Sequence, residues 1–236
     1  MKRILLVLCL IVNAIQLSAQ DTQNTDNEFI RVDLNNFNTL DIDAPVRLKL
    51  IKLEAGEKPY IEYNTHGYYA SKFTINLDIQ KQALSITERI DTKRESVTEV
   101  RLYYNALSTI HIARADVKAK GTINGQQLDI YISNESHFVA DVDVLDLFVN
   151  ISGKCSASIT GHTLYHTAEV VTAQYNAAGL ESVSTVINTS HNGLAKVDAH
   201  ERLQATTTTG GNIYYVTEPV ILRTESSLFG GPIAKM

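Results

Sequence analysis

From Leu107 onward, apolar and β-branched residues alternate with polar ones, stop at a short polar bend, and resume. The bends are Asn134-Glu-Ser-His, Ser152-Gly-Lys-Cys, Thr172-Ala-Gln-Tyr-Asn, Ser190-His-Asn-Gly and Thr209-Gly-Gly-Asn, at intervals of 17 to 21 residues. Alternation with period 2 places every second side chain on one face of a strand. A unit this short cannot bury its apolar face alone, so it must stack on copies of itself. The pattern predicts an all-β chain, a right-handed parallel β-helix-like solenoid with a C-terminal cap. Ile132, Ile151 and Thr189 before the bends, and Val139, Ile159 and Val197 after them, should form the inward columns. Ala173, Ala177, Ala195 and Ala205 make the later core thinner. About six coils at about 4.8 Å each give a body near 29 Å long. The apolar stretch from Pro219 to Ile233 is then available to cover the last coil.

Before Leu107 the pattern is less regular. Phe29–Leu34, Phe37–Asp43 and Val46–Leu53 alternate as strands, with Val46, Leu48 and Leu50 on one face. Glu54–Pro59 reads as a turn, and Tyr60–Asn64 as the hairpin partner of the preceding strand. His66–Phe73 reads as a short helix or loop. Phe73–Ile79 and Leu84–Thr87 form a second hairpin around Gln80-Lys-Gln-Ala, and Glu88–Glu95 is charged and exposed. Asn124-Gly is a strong turn signal. The expected organisation is a signal peptide over 1–19, a disordered leader over 20–28, an irregular β region over 29–106, and repeats with cap over 107–233 of the same domain.

The first residues set the compartment. Lys2 and Arg3 precede an apolar run from Ile4 to Ile15, and Leu17-Ser-Ala resembles a cleavage site. The run is shorter than the roughly 20 residues a membrane span needs, and no later segment would cross a bilayer. The expectation is export to the periplasm, the cell surface or the medium. Cys9 lies within the apolar run, and Leu8 is too large for the small residue that precedes a lipidated cysteine. Removing Lys2 and Arg3 leaves 19 basic against 26 acidic residues, a net charge of −7 where the whole chain has −5. No basic footprint for nucleic acid exists. Cys155 is then the only cysteine, so no internal disulfide is available, and it reads as a small apolar filler.

Several stretches together resemble the secreted bacterial head-GIN domain family, also called putative auto-transporter adhesins. They are Phe37-Asn-Thr-Leu-Asp-Ile-Asp-Ala-Pro-Val-Arg-Leu-Lys-Leu, Leu84-Ser-Ile, Val100-Arg-Leu-Tyr-Tyr, Leu107-Ser-Thr-Ile-His-Ile, Gly210-Gly-Asn-Ile-Tyr-Tyr, Pro219 and Gly230-Gly-Pro-Ile. The resemblance spans roughly residues 37 to 233. The family's Ser-Gly-x-Gly bends survive only at Ser152-Gly-Lys-Cys and Thr209-Gly-Gly-Asn; Thr172-Ala-Gln-Tyr-Asn and Ser190-His-Asn-Gly depart from them. The resemblance implies a mostly β fold with β-helix-like repeats and brings no catalytic residues.

Candidate chemistry is sparse. Asp141 and Asp143 share a strand face, with Asp146 nearby, which makes them the candidates for Ca2+ or for acid catalysis. The competing reading is the solvated side of a half-buried strand with Val142 and Val144 inward, and it is preferred. His162 and His166 have helix-chelate spacing, but on a strand they share a face about 13 Å apart, too far for one ion. His137 and His191 occupy bends of different coils and should not meet. Asn134-Glu-Ser and Asn188-Thr-Ser match the glycosylation sequon by chance in a bacterial setting. Tyr103/Tyr104 and Tyr214/Tyr215 should each put one ring outward. No catalytic, cofactor-binding or metal residue is assigned, and the ligand-binding residues are not identified. The first functional expectation is a non-enzymatic secreted or surface module that presents a polar β-solenoid face to a glycan or protein. The alternatives are a carbohydrate-active β-helix enzyme using Asp141 or Asp143, and a structural envelope component.

Overall fold

The computed structural model describes residues 28–66, 72–89 and 96–236. The expected signal peptide with Cys9, nearly all of the leader, most of the uncertain helix or loop at His66–Phe73, and most of the charged stretch after Glu88 lie outside the described residues.

Sixteen strands are present among them. The N-terminal half holds β1 (Ile30–Asp33), β2 (Thr39–Asp43), β3 (Val46–Lys52), β4 (Tyr60–Asn64), β5 (Phe73–Asp78), β6 (Ala83–Glu88), β7 (Thr98–Tyr104) and β8 (Thr109–Ala113). The repeats form β9 (Asp116–Ser133), β10 (His137–Ser152), β11 (Ser156–Val171), β12 (Gln174–Ser190) and β13 (Leu194–Thr207). The chain closes with β14 (Asn212–Tyr215), β15 (Ile221–Ser226) and β16 (Ile233–Lys235).

The architecture is the expected all-β solenoid. Strands β9 to β13 stack in parallel in sequence order, each one a full coil bent over two faces. On the second face Leu128, Leu147, His166, Thr185, Leu203 and Leu222 align one above another. Beside them runs the inward column Ile130, Val149, Ala168, Ile187 and Ala205, every member fully buried. These side chains pack coil against coil at the spacing of paired strands, about 4.8 Å. Ile132, Ile151 and Thr189 face inward as expected, and so do Ile159 and Val197. Ala173, Ala177, Ala195 and Ala205 are buried as well. Val139 is not inward: it is 44% exposed, and Ala140 takes the column position opposite Ile159. The register shifts between Val139 and Asp141 on the β9 side, and this irregularity defeats alignment by counting from the bend.

The bends turn in left-handed backbone. Asn134 and Glu135, Gly153 and Lys154, His191 and Asn192, and Thr209 and Gly210 come in consecutive pairs with positive φ, while Thr172 carries it alone. Asn and Gly accept this region readily and Lys does not, so the fold must supply the difference elsewhere. The backbone does so by bonding bend to bend: Glu135 N–H donates to Gly153 O at 3.2 Å, and Lys154 N–H to Thr172 O at 2.9 Å. Cys155 packs under this bend as the expected filler, its Sγ near Ser152 O and accepting from Ser136 N–H. Burial pushes its thiol pKa up.

The N-terminal region departs from expectation in three ways. Tyr60–Asn64 is not the hairpin partner of β3. That strand pairs in parallel with β7 and β9, and β4 pairs antiparallel with β1 and β7. The irregular region is itself largely solenoid: β2 with β3, and β6 with β7, form two coils of the same stack. Their order is transposed, because β2 sits between β6 and β8, and β3 between β7 and β9. Leu40, Ile42, Leu48 and Leu50 are therefore core residues with coils on both sides. Glu88, expected to be exposed, is buried and accepts a hydrogen bond from Thr98 Oγ1 at 2.9 Å. The β5–β6 hairpin is as expected. Asn124-Gly makes no hairpin, since β9 turns a corner there without leaving the ladder.

After Pro219 the chain covers the last repeat by continuing it. β15 pairs with β13 and β14 carries β16, all in parallel. All six residues of β15 are exposed, as are Val220, Leu228 and Phe229.

Candidate functional site

Outward columns are built by the same registers as the core. On the second face Asp41, His111, Tyr131, Asn150 and Glu169 stand on consecutive strands. His111 and Tyr131 stack with centroids 4.7 Å apart, and Tyr131 lies 5.6 Å from Phe148. The imidazole of His111 is 3.9 Å from Asp41. Further along, Asn150 donates to Glu169 at 2.7 Å. A parallel outward column carries Asp43, Ala113, Ser133 and Ser152. Between the two columns is an open trench of about 330 Å³. Its walls offer carboxylates, an imidazole, a phenol, an amide and hydroxyls, all on β-strands rather than loops.

A second concavity lies where the strands bend from one face to the other. In β10 the alternation slips at Leu145 and Asp146, both exposed, and in β11 at Leu164 and Tyr165. Leu145 is 44% and Leu164 43% exposed. Val183 occupies the same position in β12. These three aliphatic residues line a crease of about 290 Å³, together with Asp143, His162 and Glu181 along one rim and His200 at the β13 end.

Of the residues singled out by sequence, Asp143 and His162 are brought side by side as register partners on β10 and β11 that line the crease, while His137, His166 and His191 lie elsewhere. Asp141 accepts from Thr122 Oγ1 at 2.7 Å and from Thr160 Oγ1 at 3.0 Å, so its carboxylate ties three coils together. Asp143 is exposed on the same side, and Val142 and Val144 are buried beneath, as expected of a half-buried strand with a solvated side. Among the described residues no group of three His, Cys, Asp or Glu is placed to hold a metal ion. His162 and His166 do not share a face. The slip at Leu164 and Tyr165 reverses the phase, so His162 is exposed and His166 is buried. His162 lies 3.5 Å from Glu181. His137 contacts Ser156 at 2.7 Å while His191 contacts Ser190, and the two stay on separate bends. Tyr103 and Tyr214 are the outer members of their pairs, with Tyr104 and Tyr215 buried. Tyr103 is covered by Tyr60, stacked at 4.0 Å.

Sequence reasoning missed the buried polar chain beneath the crease. Tyr175 Oη meets His166 Nε2 at 2.8 Å, and Thr185 Oγ1 lies 3.4 Å from His166 Nδ1. Ser182 bonds Thr185 at 2.6 Å and donates to Asp198 O at 2.8 Å. Burial lowers the His166 pKa to about 4 and raises that of Tyr175. A neutral imidazole with both nitrogens engaged is a structural group here.

Solved structures share this architecture. A putative adhesin from Bacteroides fragilis superposes with a TM-score of 0.79 at 15% identity, covering 89% of this chain and 98% of that one. A putative adhesin from Parabacteroides merdae gives 0.69 at 15% identity, covering 89% and 95%. A putative lipid binding protein from Parabacteroides distasonis gives 0.61 at 13% identity, covering 89% and 96%. At these identities the likeness speaks for the fold alone. No curated protein matches the chain. A family model does match, over residues 20–219, and on that extent the chain belongs to the family described as "Putative auto-transporter adhesin, head GIN domain".

Proposed function

We propose that the protein is an exported or surface-held, non-enzymatic binding module whose second face contacts a glycan. One observation carries this reading: the trench between the Asp41–His111–Tyr131–Asn150 column and the Asp43–Ser133–Ser152 column is lined by polar groups, of which Asp43 is held by Arg114 at 2.7 Å, Asn150 by Glu169 and His111 by Tyr131. Sugar hydroxyls both donate and accept, and this wall offers both kinds of partner. Tyr131 stacks on His111 and packs at a tilt against Phe148, which fixes the phenol in advance, so little side-chain freedom is lost on binding. The family description supports adhesion as the class of activity, and the N-terminal sequence supports export.

Binding to a glycan array, followed by titration of the best hit, tests the assignment. Tyr131→Ala should weaken binding roughly tenfold, about 1.4 kcal/mol, with the fold intact because Tyr131 is already 37% exposed. Asp41→Asn should weaken it by a smaller factor. An array silent to the wild-type protein, or equal affinity in Tyr131→Ala, removes the trench as the site.

A further inference from the structure

The crease at the strand corner stands out within the repeats β9 to β13; a separate run of exposed apolar residues, Val220, Leu228 and Phe229, lies at the C-terminal end. Outward positions in these repeats are mostly polar, yet the exposed Leu145 and Leu164 and the half-buried Val183 follow one another on three consecutive coils. The corner positions beyond them are polar: Gln126 and Gln127 in β9, and His200 and Glu201 in β13. The aliphatic stretch is thus a bounded strip across the coils. A contiguous exposed apolar patch with a polar rim is the usual mark of an interaction surface.

Charge and spacing narrow the occupant. Asp143 and Glu181 stand on one flank of the strip and Asp146 on the other. Glu181 has His162 beside it, whereas Asp143 and Asp146 have no ion-pair partner among the described residues. The strip therefore calls for apolar groups with positive charge beside Asp143 and Glu181 on one flank and beside Asp146 at the β10 end of the other, whose β13 end already carries Arg202. Its floor repeats with the coils, every 4.8 Å or so. An α-helix laid along the solenoid axis presents side chains at i, i+3, i+4 and i+7 once per turn, about every 5.4 Å. The two repeats stay in step to within about 1 Å over two turns, the length of the strip. An extended strand offers same-face side chains about 6.7 Å apart and falls out of step at once.

We propose that this crease docks an amphipathic helix of a partner protein, one whose leucine-like stripe is flanked by Lys or Arg. Apolar residues of the helix seat between Leu145, Leu164 and Val183, while its basic flanks meet Asp143 and Glu181 on one side and Asp146 on the other. This surface is distinct from the proposed glycan trench, so the two can be lost separately.

The test is fluorescence anisotropy with a labelled synthetic Leu/Lys amphipathic helix of about four turns, using a Leu/Glu helix of the same pattern as control. Saturable binding of the Leu/Lys helix is expected. It should weaken roughly tenfold in Leu164→Lys and by a similar factor in the double variant Asp143→Asn, Asp146→Asn. Val139→Lys, an equally exposed position elsewhere, should leave it unchanged. Failure to saturate, equal binding of the Leu/Glu helix, or equal loss in Val139→Lys overturns the proposal. Circular dichroism of each variant checks folding, and the carboxylate variant still decides should Leu164→Lys misfold.

Discussion

His166 shows how far context outweighs spacing at the scale of one residue. Its four-residue offset from His162 suggested two equivalent positions on one strand, but a phase slip put one in solvent and one in the core. Its buried position has a pH signature. The folded-state pKa is lowered from 6.5 to about 4 by desolvation. The unfolded chain therefore binds this proton more readily than the folded one. The stabilising contribution is complete above about pH 6.5 and is lost as pH falls from there through about 4. At about 1.4 kcal/mol for each pH unit, the whole effect is on the order of 3 kcal/mol. Denaturation midpoints measured across this range should fall with acid in the wild-type protein. The fall should be shallower in His166→Gln, which cannot take up the proton. Parallel curves for the two proteins would mean that the imidazole does not govern acid stability. Asp141 makes the converse case. The sequence offers it as a candidate for Ca2+ or acid catalysis and prefers a solvated strand face, and two threonine hydroxyls make it a strut between coils.

Elements were legible where a local rule governed them. The bends announced themselves by composition, and the inward columns by alternation, down to the thinning of the core through Ala173, Ala177, Ala195 and Ala205. What was not legible depends on partners far along the chain. Nothing local in Thr39–Lys52 records that it slots between Ala83–Tyr104 and the coil that follows, since a parallel pairing leaves no turn to mark it. The slips within strands were hidden for a related reason: a single strand can change phase without any turn residue. One signal did exist, because Leu145, Leu164 and Val183 recur at a constant offset of 19 and break the alternation each time. Gly161 marks another such feature. It lies within β11 at φ +110, and a Cβ there would collide with the Val142 backbone. Gly56 also has positive φ, +95, but open space around it. Gly161→Ala should therefore destabilise by clearly more than Gly56→Ala, by about 2 kcal/mol or more. Equal melting temperatures for the two variants would show that the ladder absorbs the Cβ by shifting.

At the scale of the molecule, stability follows from stacking in one dimension. Each coil touches only its neighbours, so the ends of the stack have half the contacts of the middle. In the middle, β10, β11 and β12 bury Val142, Val149, Ile151, Ile159, Ala168, Val170, Leu180 and Ile187 between coils on both sides. At the C-terminal end, β15 rests on β13 alone and every one of its residues is exposed. Local opening should thus grow easier along the last coils. Amide hydrogen exchange should be slowest in β10 to β12, faster in β13, and fastest in β15 and β16. The N-terminal end should not mirror this. The coil of β6 and β7 is covered by the antiparallel strands β5 and β4, which pair with it directly. The expected profile is therefore asymmetric, with protection in β7 well above that in β15. Uniform protection over all coils would instead mean that the solenoid opens as one cooperative unit. Weak protection at both ends would mean that β4 and β5 do not close the stack. The asymmetry also bears on how the molecule can act. The trench lies at the well-paired end, on strands from β2 to β10, where a preformed surface keeps its shape. The helix-docking crease crosses β10 to β13, and its Val183–His200 side is the first part that fraying from the C-terminal end would reach. A bound helix spanning those coils should raise the protection of β12 and β13 more than that of β10, and exchange measured with and without the Leu/Lys helix would show it.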